Sequence, residues 1–438
     1  MNSSRVFLGL MLLASPLSFA ADIDEAWQQL LAEHAGLQAQ VEMVTAKQAQ
    51  VDVAKGMYLP SLTLSSQWNL MNDELGLWVD TSILMPGGKP VYLPIQDKSF
   101  WDTQLTATVP VFTGGKIKAG VDAQKADVQF QQAEQTRHQN ELFTQFVRRY
   151  LSVNLAVENE NIRRYAYDNL EQHFQRAVRM QEEGSIAYTE RLQAEVERDK
   201  AKREWRNAMT QRTLAVSAYQ SLFFNETQLP DQSLSYHPFK TLNDNALALR
   251  AIYNHPGIQQ ISAQRAKANA GLKATQADFL PTIALFANIE LATNDLTQLE
   301  PEWAAGVSMQ WRLFGQGNRL REGAGYRAAM RAAEFSNAQA ERDVRVLLEQ
   351  LQVNIDIAKE NIDAFESSIR LAEENLRLRQ AAFAQGISTS LDEIDAQLLL
   401  TGLQLESQKS LFDYYVALAD LCALTAQQDQ FFTLFNPR

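Results

Sequence analysis

Four segments of the chain alternate apolar and polar residues with a period of two. In the first, Leu62, Leu64, Trp68 and Leu70 share one parity, and Thr63, Ser65, Gln67 and Asn69 the other. In the second, Trp101, Leu105, Ala107, Val109 and Val111 alternate with Asp102, Gln104, Thr106 and Thr108. The third sets Ile283, Leu285, Ala287, Ile289 and Leu291 against Thr282, Ala284, Phe286, Asn288 and Glu290. The fourth sets Trp303, Ala305, Val307, Met309 and Trp311 against Ser308, Gln310 and Arg312. Such alternation puts the apolar residues on one face of a sheet. It predicts strands at about 58–70, 101–113, 279–291 and 303–314, each long enough to cross a bilayer when tilted. Between them the pattern turns helical. Val121 to Glu183 and Tyr326 to Gln385 contain neither Gly nor Pro, so each predicts a helix of about 90 Å at 1.5 Å per residue. Helices are expected over 116–183, 187–224, 318–385 and 390–425. Ordinary globular helices are far shorter, so these must pack along one another as coiled coil or bundle. Their polar faces, rich in Gln, Asn, Glu and Arg, suit water outside an assembly or inside a lumen equally well.

The same order of elements occurs twice. His34-Ala-Gly-Leu-Gln38 matches His255-Pro-Gly-Ile-Gln259, and Tyr58-Leu-Pro-Ser-Leu-Thr-Leu64 matches Phe279-Leu-Pro-Thr-Ile-Ala-Leu285, both at an offset of 221 residues. Phe112 and Gly184 match Phe314 and Gly386 at an offset of 202, so the first half carries 19 additional residues. These fall around Met85-Pro-Gly-Gly-Lys-Pro90, a loop by composition. The repeat predicts a first unit at 21–224, a linker at 225–241 containing Pro230, a second unit at 242–425 and a tail at 426–438. Period and spacing of this kind mark a duplicated architecture.

Aromatic residues stand at the strand ends: Tyr58, Trp68, Trp101, Phe112, Phe279, Trp303, Trp311 and Phe314. They resemble the interfacial girdles of membrane barrels, although a half-buried sheet of a secreted scaffold or binding protein would have similar strands. If the strands do cross a bilayer, the sheet must close, because open edges leave backbone groups unpaired in hydrocarbon. Four strands cannot close. Two copies would supply eight strands and three copies twelve.

The N-terminus predicts export. Arg5, the apolar run Val6 to Leu17 and the small residues of Ser18-Phe19-Ala20 read as a signal peptide over 1–20. The apolar run is too short for a membrane-spanning helix, and no later stretch is long enough. Cys422 is the only cysteine, so no internal disulfide exists, and its apolar neighbours predict a buried, unreactive thiol. The net charge of −12 argues against a nucleic-acid partner, which needs clustered Lys and Arg. His34, His138, His173, His237 and His255 show no metal-ligand spacing. Gly114-Gly-Lys116 and Gly315-Gln-Gly317 lack the remaining positions of nucleotide-binding loops. Nothing along the chain groups an activated nucleophile with a base. No enzyme, cofactor or metal is therefore expected.

The duplication, the paired Leu-Pro strand starts, the strand-to-helix segments Val109-Pro-Val-Phe-Thr-Gly-Gly-Lys116 and Trp311-Arg-Leu-Phe-Gly-Gln-Gly-Asn318, and the tip segments Gly184-Ser-Ile-Ala-Tyr-Thr-Glu-Arg-Leu-Gln-Ala194 and Gly386-Ile-Ser-Thr-Ser-Leu-Asp-Glu-Ile-Asp-Ala396 together resemble the TolC family of outer-membrane efflux proteins. The resemblance covers essentially the whole chain after residue 20. It implies a mainly α protein with a membrane β part: a homotrimer in the outer membrane of a Gram-negative bacterium, in contact with outer-membrane lipid. Four strands per chain would form a shared twelve-stranded barrel, and the long antiparallel helices a tunnel across the periplasm. It implies a passive export duct, with a periplasmic adaptor protein and an inner-membrane transporter as partners.

The resemblance also assigns residues. Asp392 and Asp395, three apart on one helix face, match the acidic ring of the closed periplasmic entrance. Ser390-Leu-Asp-Glu393 also reads as a capping box, a role that competes with the ring. Thr189 and Glu190 match positions of polar links that hold the entrance shut, with partners expected at Phe383 and Ser388; Phe383 lacks a hydroxyl and Ser388 a cation, so the chain departs from the family's pattern there. Gly184 and Gly386 are expected to end the long helices and shape the tips for adaptor docking. Trp68, Trp101, Trp303 and Trp311 are expected at the membrane interfaces.

Overall fold

The computed structural model describes residues 23–83, 85–225, 227–230, 234–239, 244–292, 301–313 and 319–435. The expected leader at 1–20, Phe314, the Gly315-Gln-Gly317 segment, parts of the expected linker and the last three residues of the tail lie outside them. In chain order the elements are α1 (Ile23–Glu33), α2 (Ala35–Gly56), β1 (Ser61–Leu70), β2 (Leu75–Val79), β3 (Val91–Gln96), β4 (Ser99–Phe112), α3 (Lys116–Glu182) and α4 (Tyr188–Gln220). The second half supplies α5 (Asp244–Asn254), α6 (Pro256–Ala277), β5 (Thr282–Ala292), β6 (Trp303–Gln310), α7 (Arg319–Ala384), α8 (Ser390–Thr425) and α9 (Gln428–Phe435). Helices α3 and α7, of 67 and 66 residues, are each about 100 Å long at 1.5 Å per residue.

The described residues divide into two compact units, each drawn from both repeats. One holds the residues up to 38, 138–255 and those from 343 onward; the other holds 39–137 and 256–342.

The second of these contains an antiparallel sheet in the order β1-β4-β5-β6. Its register turns the sequence alternation into continuous rows: Leu64, Leu105, Ile289 and Trp303 stand side by side across all four strands. Leu62, Ala107, Ala287 and Ala305 form the next row. Cross-strand neighbours of this kind are the unit of sheet stabilisation. Pro110 sits inside β4, where the register with β5 shifts between Pro110 and Phe112, a place where the missing N–H costs little. The apolar face is bare: Leu62 is 70% exposed, Leu64 62%, Val307 65% and Trp303 67%. A half-buried sheet of a water-soluble scaffold needs a cover over these rows, and none is present among the described residues. The 19-residue excess of the first half contains more than a loop. Strands β2 and β3 pair there as a separate two-stranded sheet, with Trp78 against Tyr92 at 5.1 Å between ring centroids. Their short runs carry no clean alternation, which is why the sequence reads as loop.

The other unit has an aromatic core. Trp27 of α1 packs between Phe143 and Phe146 of α3, both at 5.5 Å, and Phe432 of α9 at 6.4 Å. Tyr150, Tyr219 and Leu418 are buried beside them. The linker residues 234–239 are fastened to α8 by two phenols. Tyr415 Oη donates to the Ser235 carbonyl (2.6 Å) and Tyr414 Oη to that of His237 (3.0 Å). The backbone N–H groups of His237 and Phe239 donate to the same two hydroxyls. The linker's polar backbone is thereby satisfied without a sheet, and burial pushes the Tyr414 phenol up to about 12. Cys422 is buried in the same core, where burial raises its thiol to about 12, so it stays protonated and unreactive.

Because Phe146 is fully buried among aromatic rings, Phe146→Ala is expected to cost about 3–5 kcal/mol. Denaturant unfolding followed by circular dichroism measures this; a cost below about 1 kcal/mol would show that the aromatic cluster does not hold this unit together.

Candidate functional site at the helix tips

Each long helix ends in a glycine that no other residue replaces cheaply. Gly184 has φ +76° and Gly386 φ +71°, in the left-handed region where a Cβ is strained. The chain folds back on itself identically at both. Ser185 N–H donates to the Met180 carbonyl (2.8 Å) and Gly184 N–H to that of Gln181 (3.0 Å); Ile387 and Gly386 do the same to Ala382 and Phe383 (both 2.9 Å). This is the paired 6→1 and 5→2 bonding of a Schellman cap, and it turns α3 into α4 and α7 into α8.

The two following helices begin differently. Helix α4 starts at Ala187, which offers no side-chain cap. Helix α8 starts at Thr389 with a complete capping box: Thr389 Oγ1 accepts from Asp392 N–H (3.3 Å), and Asp392 Oδ2 accepts from Thr389 N–H (3.0 Å). The box therefore lies one residue earlier than Ser390-Leu-Asp-Glu393 suggests. Its acid is Asp392, not Glu393. Asp392 Oδ2 also accepts from the hydroxyls of Thr389 (2.8 Å) and Ser388 (2.9 Å), and Arg379 stands 3.7 Å from Oδ1. The Thr389 N–H and hydroxyl, with Ser388 and then Arg379, hold the Asp392 carboxyl down at about 2. Asp395 is exposed one turn further along, without a hydrogen-bond or ion-pair partner among the described residues. It lies on the rim of an open groove of about 300 Å³, formed by Leu192 and Val196 of α4 with Leu391, Ile394 and Leu398 of α8.

The residues matched to polar links are placed as follows. Glu190 occupies in α4 the position that Asp392 holds in α8. With no cap of its own to complete, it accepts from the N–H of Ser390 (3.3 Å) and ties the two helix starts together. Ser388 is engaged with Asp392. Phe383 is fully buried among Ala177, Ala194 and Phe174, and Thr189 is exposed on the first turn of α4. Among the described residues no hydrogen bond or ion pair joins Thr189 to Phe383 or Glu190 to Ser388.

A buried polar cluster joins α3 to α8 instead. His173, Ser390 and Glu393 are 0%, 0% and 2% exposed. His173 Nε2 is 2.7 Å from Ser390 Oγ, and its Nδ1 is 2.9 Å from Glu393 Oε2, an ion-pair distance without hydrogen-bond alignment. The Arg176 guanidinium pairs with Glu393 Oε1, and the Phe383 ring covers the imidazole at 4.6 Å. One turn away, Asn169 Nδ2 donates to Gln397 Oε1 (2.8 Å). The order Ser390–His173–Glu393 is that of a hydrolytic relay, but all three side chains are sealed from water and substrate. The cluster is structural. A buried pair is costly to break because it strands the other charge. Sequence reading missed these residues by testing the histidines for metal spacing only. The legible signal was Asn169, His173 and Arg176 at core spacing on α3, facing Ser390, Glu393 and Gln397 at the same spacing on α8. Among the described residues no group of His, Cys, Asp and Glu is placed to hold a metal.

In the strand-bearing unit, Trp68 lies directly across from Trp101, and its Nε1 donates to Ser99 Oγ (3.0 Å). Trp303 begins β6 on the same side, near the turns. Trp311 follows β6 on the helix side, where its Nε1 donates to the Phe279 carbonyl (3.1 Å). The four indoles are 53–67% exposed. They define two levels, separated by roughly ten residues of strand; at 3.3 Å per residue and a tilt near 45° that is about 23 Å.

Comparison with known proteins places this geometry. A model of the outer membrane efflux protein family matches residues 26–222 and 247–427. The alkaline protease secretion protein AprF of Pseudomonas aeruginosa is 22% identical over 295 residues, 64% of this chain, and the match spans 60% of AprF's own length. The outer-membrane channel OprN superposes with a TM-score of 0.78 at 15% identity, covering 93% of this chain and 90% of OprN. The open state of the Neisseria gonorrhoeae MtrE outer membrane channel gives 0.73 at 18% identity, covering 92% and 88%.

Two outcomes follow. Glu393→Ala strands Arg176 beside a buried imidazole and is expected to cost about 3–5 kcal/mol, seen as faster amide exchange over 169–176 and 390–397 with the strands unaffected; unchanged exchange would deny the cluster its role. For Asp392 the folded-state value is depressed. Its contribution is full above the unfolded value of about 3.9 and gone once pH falls below about 2. The melting-temperature deficit of Asp392→Asn should therefore be constant from pH 7 to about 5 and vanish towards pH 2. A deficit that does not change over that range would show that the charge contributes nothing.

Proposed function

Because this chain belongs to the outer membrane efflux protein family, whose members are passive channels in the outer membrane of Gram-negative bacteria, we propose that it works as one third of an export duct of a tripartite efflux or type I secretion system. The observation that carries this reading is the open four-stranded sheet. Its apolar face is bare, and its edge strands β1 and β6 have no further neighbour among the described residues. In hydrocarbon those edges must be paired. Three copies give a closed twelve-stranded barrel of ordinary size, and the long helices then continue below it as a tunnel. No helix among the described residues is long and apolar enough to cross a membrane, so membrane anchorage rests on the sheet.

In this reading the helix tips form the periplasmic entrance. Asp395, with its carboxylate free, is the principal member of an acidic ring, and Asp392 contributes charge while serving α8 as its cap. Six carboxylates around one axis repel each other and draw cations into the mouth. The buried His173–Glu393–Arg176 cluster and the Glu190–Ser390 bond hold the start of α8 against α3 and α4 in the closed state. The capped turns at Gly184 and Gly386 face the adaptor, and an inner-membrane transporter selects what is passed upward. AprF is by name a protease secretion protein and the structural relatives are channels; a duct of this kind imposes little selection of its own.

Cysteine crosslinking across the β1 and β6 edges in outer membranes, together with conductance in planar bilayers, tests the assembly. A trimeric ladder and discrete channels are expected; a monomer that leaves the cell on osmotic shock would refute it. For the entrance, Asp395→Asn combined with Asp392→Asn should weaken block by multivalent cations applied from the tip side, with Asp395→Asn alone producing most of the loss. Undiminished block would leave Asp392 with its capping role only.

A further inference from the structure

The charge of the strand-bearing unit is strongly asymmetric. The segments flanking the strands on the helix side, residues 47–60, 113–127, 265–281 and 311–327, hold twelve Lys and Arg against five Asp and Glu. The described segments at the other end, residues 71–83, 85–98, 290–292 and 301–302, hold two Lys against six Asp and Glu. The basic end stands out further because the whole chain carries −12.

Several of these cations are paired in place. Lys116 binds Asp278 at 2.7 Å, Lys267 binds Asp127 at 2.8 Å and Arg265 binds Glu334 at 2.7 Å. Others are exposed with no carboxylate at ion-pair distance among the described residues: Lys118, Lys125, Lys273, Arg312 and Arg327. Lys118 is the third residue of α3, Lys273 lies four before the end of α6, and Arg312 lies two beyond β6. All three are therefore within about 6 Å of the end of their element along its axis. The aromatic level is at the same height. The Arg319 guanidinium lies 5.4 Å from the Phe279 ring centroid, and Trp311 bonds to the Phe279 carbonyl. An exposed apolar sheet, an aromatic level and a ring of unpaired cations thus follow in order along the chain's axis of entry into the helices.

We propose that this basic collar binds the phosphate headgroups of anionic phospholipid in the leaflet on the helix side of the sheet, and so fixes the depth and direction in which the protein sits. The proposal rests on the reading that the sheet crosses the membrane, and it goes beyond it by naming the lipid class and the residues. Unpaired Lys and Arg just outside an apolar band meet the phosphate plane with their charged ends while their stems lie along the hydrocarbon boundary. The acidic turns at the opposite end repel the same headgroups, so only one orientation satisfies both ends.

The test uses the purified full chain in nanodiscs of equal parts phosphatidylglycerol and phosphatidylcholine, with retained lipids counted by native mass spectrometry. The wild-type protein is expected to retain phosphatidylglycerol in several-fold excess, and raising the salt concentration should reduce that excess. The combined Lys118→Gln, Lys273→Gln and Arg312→Gln variant should lose most of it, whereas Lys89→Gln with Lys98→Gln, in the far turns, should keep it. Equal retention of the two lipids by the wild type, or an excess that survives in the triple variant, overturns the proposal. Conductance in pure phosphatidylcholine bilayers separates the two readings: channels of unchanged size from wild type and triple variant leave the membrane sheet standing whatever the lipid counts show. Absence of channels from the wild type in either lipid removes the sheet reading and the collar with it.

Discussion

The backbone hydrogen bond that β1 and β6 cannot make within one chain governs the molecule. In water an open sheet edge is tolerable, because solvent pairs its N–H and C=O groups. In hydrocarbon each unpaired group costs several kcal/mol, and the apolar rows of this sheet, exposed on β1 and β6 and half-buried at Leu105, Ala107 and Val109 of β4, suit hydrocarbon in the proposed reading. The edge and the face make opposite demands on a single protomer, and the proposed assembly with identical copies would reconcile them. The other proportions follow from that arrangement. Strands need only be long enough for a tilted crossing, while the helices must supply all remaining length, which they do with two uninterrupted runs of 67 and 66 residues.

The duplication explains how one chain meets the requirement with so little variety of structure. Each repeat supplies a hairpin half of the sheet and one long helical hairpin, and β4 pairs with β5 to join the halves in the middle. Between the register shifts at Thr103/Gln104 and Pro110/Phe112 the rows of side chains continue across that seam, Leu105 beside Ile289 and Val109 beside Leu285. The join is thus no weaker in packing than the hairpins on either side of it. Residues 234–239 of the linker carry no helix or strand, and Tyr414 and Tyr415 of α8 pair the Ser235 and His237 carbonyls and the His237 and Phe239 N–H groups.

Much of this architecture was legible from residue order, because its signals are local. Period-two alternation marks a strand wherever one face differs from the other, and sixty residues without Gly or Pro mark a long helix whatever surrounds it. Leu62 to Leu70 and Val121 to Glu183 are readable on those grounds alone. What escaped depends on contacts distant in sequence. His173 and Glu393 are separated by 220 positions and meet only because α3 and α8 lie side by side. A histidine on a polar helix face carries no mark of the carboxylate it will find. The capping box was misplaced by one residue for a different reason. Ser390-Leu-Asp-Glu393 and Thr389-Ser-Leu-Asp392 both fit the pattern, and only the extended backbone of Thr389 decides between them. The strands β2 and β3 were hidden because apolar residues of both parities, Leu77, Trp78, Val91 and Leu93 among them, are exposed, so no clean alternation marks them.

The two tips show what divergence between the repeats has achieved. Both long helices end in the same glycine-centred cap, so the turn itself has been preserved. The next turn differs. In the second repeat Asp392 closes the box on its own helix, and that helix start is complete in itself. In the first repeat the corresponding Glu190 has no capping hydroxyl opposite it, since Ala187 stands where Thr389 would. Its carboxylate reaches across to the N–H of Ser390. A symmetric pair of tips would leave the two helical hairpins equivalent, with no reason for either to move relative to the other. Here one hairpin is self-sufficient and the other depends on its neighbour, and the buried Glu393 on α8 relies on Arg176 and His173 of α3 for compensation. Releasing α8 exposes charges that water can then solvate, so the cost of breaking the cluster is partly recovered once the tip has opened. In the proposed entrance, α8 would then have two distinct positions rather than a continuous range, one held by the cluster and one released from it.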